Sequence, residues 1–155
     1  MRMWRLLAAG VGVIVLVACA QAPPSIPATT APRASSATGD STLTRSDEQG
    51  AVSVAVTPLS LDPTSDTLDF SVDLSTHSVD LSWDLASRAT LSTDTELQVA
   101  GASWPVGSGH HVEGTLSFPA RTADGRALLE GARTLTLTLR DTDVAERTFV
   151  WALAR

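Results

Sequence analysis

The sequence predicts an all-β fold, an antiparallel β-sandwich of seven or eight strands over residues 50–155, and three observations predict it. Nearly every apolar stretch in that region repeats with period two, the mark of a strand with one buried and one wet face. Clusters of Asp, Pro and Gly separate the stretches at turn spacing. Only residues 127–133 carry a pattern that suits even a short helical turn.

The strands follow in chain order. Val52, Val54 and Val56 alternate with Ser53, Ala55 and Thr57. Leu68, Phe70, Val72 and Leu74 alternate with Asp69, Ser71 and Asp73. Val79, Leu81, Trp83 and Leu85 alternate with Asp80, Ser82 and Asp84, which makes Trp83 the candidate core aromatic of a central strand. Leu97 and Val99 mark a short strand, Val112, Leu116 and Phe118 a longer one with Gly114 in its inward row. Leu135, Leu137 and Leu139 alternate with Thr134, Thr136 and Thr138, and Phe149, Trp151 and Leu153 form the last run. Turns are expected at Asp62-Pro63, from Pro105 through Gly107, Ser108 and Gly109, at Ala123-Asp124-Gly125 and at Asp141-Thr142-Asp143. Between Leu74 and Val79 the inward parity changes from even to odd, so the chain slips by one residue. This predicts either a bulge or a tight hairpin turn at His77. In size and strand count the region resembles immunoglobulin-like sandwiches, although it lacks the Cys pair of antibody domains.

The first 50 residues read differently. Arg2 and Arg5 precede an unbroken apolar-or-Gly run over residues 6–17, too short for a comfortable span and suited to the core of a signal peptide. The run ends in Leu16, Val17, Ala18 and Cys19, which resembles the lipobox of bacterial lipoprotein precursors. That resemblance implies a signal peptide over residues 1–18, cleavage before Cys19, lipidation of Cys19 and a membrane anchor on the extracytoplasmic side of a bacterial cell envelope. With Ala20 rather than Asp after the Cys, it further favours the outer membrane in a two-membrane host. Two or more acyl chains, at about 0.8 kcal/mol per buried CH₂, make such an anchor stable. Residues 19–49 then form a Pro/Ala/Ser/Thr tether with too little apolar area to offset the cost of ordering it.

Composition excludes several functions. With 11 basic residues against 17 acidic ones and no basic cluster, the chain is a poor match for nucleic acid, whose affinity comes from displaced counterions. The absence of Lys removes Schiff-base and P-loop chemistry. The single Cys supports neither an internal disulfide nor a Cys-based metal site. Neither a Gly-x-Ser-x-Gly elbow nor a His-Glu-x-x-His motif occurs, so no catalytic residue is assigned and no enzyme activity is expected.

The remaining chemistry rests on the three histidines. His77 lies at the predicted irregularity, and His110 and His111 follow the Gly-rich loop. Imidazoles clustered on an extracytoplasmic sandwich suit copper or zinc. On a regular strand His110 and His111 face opposite ways, His110 inward with Val112 and His111 outward with Glu113. Both chelate one ion only if the loop runs through His110 and tertiary pairing brings His77 close. Trp104, beside Pro105, is either an exposed binding aromatic or the lid of the core. Acid-bearing loops at residues 62–66 and 141–146 offer oxygen to calcium without matching an EF-hand.

The expected function is therefore a lipid-anchored binding or accessory module for a protein or small ligand. His77, His110, His111 and Trp104 are its candidate contact surface. The alternative is a copper- or zinc-binding lipoprotein using the same histidines.

Overall fold

The structure, a computed structural model, describes residues 41–153. The expected signal peptide, Cys19 and most of the tether lie outside these residues. Among the described residues, no helix is long and apolar enough to cross a membrane.

Among the described residues, eight strands form two antiparallel sheets: β1 (Arg45–Asp47), β2 (Val52–Ser60), β3 (Thr67–Thr76), β4 (Ala89–Thr93), β5 (Gln98–Ala100), β6 (His111–Pro119), β7 (Thr134–Thr142) and β8 (Val144–Ala152). One sheet runs β1-β2-β3-β6 and the other β5-β4-β7-β8. The chain crosses between the sheets after β3, after β5 and again after β6, so the two sheets interlock. Two sheets are required because each presents one apolar face, and each covers the other's. Val54, Val56, Phe70, Val72 and Leu116 meet Leu91, Leu137, Leu139 and Phe149 in that interior. Across its middle, Phe70 packs edge-on to Phe118 (centroids 5.7 Å apart) and tilted against Trp151 (5.4 Å), joining the sheets. Ladder pairing slips between Pro58 and Ser60, where proline supplies no N–H.

Two expectations are corrected. First, residues 79–85 are not a strand: the chain leaves β3 after Thr76, bends at His77 and Ser78, and crosses to the second sheet as an extended segment. It is held through Leu81 N donating to Gly109 O (3.0 Å) rather than by a ladder. Its period-two pattern is real, because Leu81 and Leu85 are fully buried, and the parity change is absorbed by a corner between sheets. Second, Trp83 is only partly buried at the margin of the core, and Trp151 takes the central place. β4 leaves little local trace, since small Ala89 and polar Thr93 flank its single large apolar residue, Leu91. Residues 127–133, whose pattern suits a short helical turn, make successive tight turns, with Glu130 N bonded to Ala127 O and Ala132 N to Leu129 O.

The folded domain also begins before residue 50. β1 lies inside the segment expected to be tether and pairs with β2. Trp151 Nε1 donates to Leu43 O at 2.6 Å, and Arg45 Nε donates to Val150 O at 3.1 Å. Arg147, 1% exposed, points inward from β8 and ion-pairs with the Asp47 carboxylate. Burial pushes the Asp47 carboxyl upward, but hydrogen bonds from Gln49 and the Arg147 charge outweigh it and leave the group below the usual carboxylate range. The tight β7–β8 turn at Asp141 and Asp143 matches expectation, and both residues adopt positive φ (54° and 67°), which Asp tolerates better than most.

Candidate functional site

The backbone gathers the three histidines at one end of the first sheet. Ser75 pairs with His111 across β3 and β6, Thr76 N donates to His110 O (2.9 Å), and His77 follows at the bend. Their side chains do not converge. His77 is exposed on the corner. His110, expected to face inward, is exposed because β6 begins one residue later and Gly109, at φ +100°, turns the chain outward just before it. Its Nδ1 lies 3.2 Å from Val79 O, a geometry that suits donation from the Nδ1–H tautomer. His111 faces outward beside Glu113, as parity requires.

Trp104 is a lid and not an exposed contact. It is 8% exposed, and its indole Nε1 is buried without a hydrogen-bond partner. The segment carrying it closes the side of the sandwich over β6: a Cβ added at Gly114 would lie 2.6 Å from Pro105 Cγ and 3.1 Å from Trp104 Cζ3. Glycine at this inward position of β6 is thus what lets the lid sit down. Val106, next on that segment, is 59% exposed.

What does converge is Asp73, His111 and Glu113, whose ligand-type atoms all lie within 4.8 Å of one another. Among the described residues, His77 and His110 join no such group. His111 Nδ1 lies 3.7 Å from Asp73 Oδ1. Asp73 and Glu113 face each other directly across β3 and β6. Sequence reasoning placed Glu113 on the outward face but missed Asp73, because a register between strands nearly 40 residues apart leaves no local trace.

The ladder pattern also shows what the β6 edge offers. Ser117 N donates to Ser103 O (3.1 Å) and Ser117 O accepts from Ala102 N (2.8 Å), so odd-numbered residues of β6 turn their backbone groups away from β3. At Ser117 the edge is covered. At His111, Glu113 and Thr115 the outward N–H and C=O groups have no partner among the described residues. The β8 edge, by contrast, is guarded at Val150 O by Arg45. Carboxylates of the candidate calcium loops are engaged within the fold: Asp62 accepts from Thr64 N (2.8 Å) and Oγ1 (2.7 Å) in its own turn, and Asp143 accepts from Ala51 N (2.6 Å) across the domain.

By strand register, a cleft of about 390 Å³ opens at the far end of the sandwich, lined by Leu43, Leu61, Pro63, Leu129, Trp151 and Leu153 among others, none of them titratable. No protein-family model, curated protein or solved structure matches the chain, so the site is read from its own geometry.

Proposed function

We propose that the chain is a non-catalytic binding module, lipid-anchored through Cys19 on the extracytoplasmic face of a bacterial membrane, that holds a partner polypeptide by strand addition at β6. The unpartnered N–H and C=O groups of His111, Glu113 and Thr115 support this reading most. An exposed edge is a template on which an extended segment gains main-chain hydrogen bonds, and side chains of alternate residues then set specificity. Exposed Val106 offers an apolar contact beside it. The lipobox-like leader supplies the anchor in this reading, and the acidic balance of the chain argues against nucleic acid.

The test places a photo-crosslinking residue at position 106, beside the open edge, in the full chain in its native cells. The proposal expects a defined adduct with an extended segment of another protein, lost in Thr115→Pro, which removes an outward N–H that the β3–β6 ladder does not use. An adduct that survives Thr115→Pro, or one consisting of two copies of this chain, overturns it. For the anchor, Cys19→Ser should release the protein from the membrane fraction; retention of that variant in the membrane refutes lipidation as the attachment.

A further inference from the structure

We infer that Asp73, His111 and Glu113 form a surface site for a single divalent transition-metal ion, Zn²⁺ foremost. The inference depends neither on the anchor nor on the open edge.

Thr76 N bonds to His110 O, so in the alternating ladder the pairs Leu74↔Val112 and Val72↔Gly114 exchange hydrogen bonds and the pair Asp73↔Glu113 does not. Non-hydrogen-bonded pairs bring side chains closest, with Cα atoms about 4.5 Å apart. Two carboxylates directly opposite each other there repel, an arrangement that destabilises a sheet. His111 stands two residues before Glu113 on the same outward face and turns Nδ1 toward Asp73 Oδ1. The result is one imidazole and two carboxylates projecting from adjacent rigid strands, with donor atoms already gathered.

The donor chemistry selects the ion. Soft thiolate or thioether ligands, which copper(I) prefers, are lacking here. Calcium and magnesium take six or more oxygen ligands, and an imidazole nitrogen is a poor substitute. One nitrogen and two carboxylate oxygens match zinc, with metal–ligand bonds of about 2.0–2.2 Å and a fourth, open position for water or a partner's side chain. Tetrahedral bonds of that length put ligand atoms about 3.4 Å apart, so donors that lie within 4.8 Å of one another must close by up to about 1.4 Å. Exposed side chains do this by small rotations. A bound dication also turns the Asp73–Glu113 repulsion into attraction.

The test titrates the full chain, stripped of metal with chelator, against Zn²⁺ by calorimetry and follows its melting temperature. One saturable site is expected, with a rise in melting temperature on zinc addition. Asp73→Asn, His111→Ala and Glu113→Gln should each weaken zinc binding at least about tenfold, while His77→Ala and His110→Ala retain it. Glu113→Gln should melt no lower than the parent without metal, which separates lost ligation from lost folding. No saturable zinc heat in the parent overturns the inference. So does zinc binding that survives all three substitutions, binding that disappears in His77→Ala or His110→Ala, or equal response to Ca²⁺ and Mg²⁺.

Discussion

Arg147 carries a charge into the interior, and removing its counterion provides a sharp test of how β1 is held. The guanidinium is buried against the β7–β8 turn and β1. Nε and Nη2 reach Thr142 O at 3.3 Å, Nη2 reaches Gln49 O at 2.6 Å, and Nη1 meets the Asp47 carboxylate. In Asp47→Ala the charge stays buried without its partner, which costs about 3–5 kcal/mol in such settings. The backbone acceptors survive, so we expect the low end, about 3 kcal/mol. Arg147→Met removes the charge and keeps most of the volume, but leaves the Thr142 and Gln49 carbonyls without a donor, at about 2 kcal/mol in all. The double variant should cost no more than Arg147→Met alone, giving a coupling of about 3 kcal/mol. Urea unfolding followed by tryptophan fluorescence reads all three. If Asp47→Ala costs less than about 1 kcal/mol, as exposed pairs do, or if the two substitutions simply add, the reasoning is wrong.

Acid unfolding should show the same pair. The Asp47 carboxyl is held below 3.8, so its contribution is present above that pH and disappears as pH falls further; Asp47→Asn should flatten the stability profile below about pH 4. Without metal, Glu113→Gln should stabilise the domain by about 0.2–1 kcal/mol through relief of its repulsion with Asp73, measured by the urea midpoint. Gly101→Ala places a Cβ 2.5 Å from Ala86 O and 2.8 Å from Ala86 Cα, backbone atoms that cannot rotate away, so a loss of about 1–3 kcal/mol is expected. Phe70→Ala, at the junction of both sheets, should cost about 3–5 kcal/mol and depress the melting temperature accordingly.

How much of this was legible depends on what holds each piece. β2, β3, β6, β7 and the end of β8 are written locally, because branched or aromatic residues recur at every second position and one face must be dry. β1 is written almost nowhere locally: it is held by Arg147, the Trp151 indole and its pairing with β2, all contributed from elsewhere in the chain. Arg147 itself left a usable signal, since it shares the inward parity of Phe149 and Trp151, and an Arg in that row calls for a buried acid. At the candidate site, parity correctly set His111 and Glu113 on the outer face. It misassigned His110 because the first residue of β6 is fixed by Gly109 and the loop, not by alternation. Asp73 is visible only once β6 is known to lie beside β3, a neighbour relation that passes through two strands of the other sheet.

The three-residue strand at the start of the domain has a mechanical consequence. Any load arriving through residue 40 meets β1, the Leu43–Trp151 bond and the Asp47–Arg147 pair before it reaches the strands that enclose the core. Those first contacts lie outside the eight-pair ladder of β2 with β3 and the nine-pair ladder of β3 with β6, so under the proposed anchoring a pull from the membrane would fall on β1 before it reached the proposed docking edge.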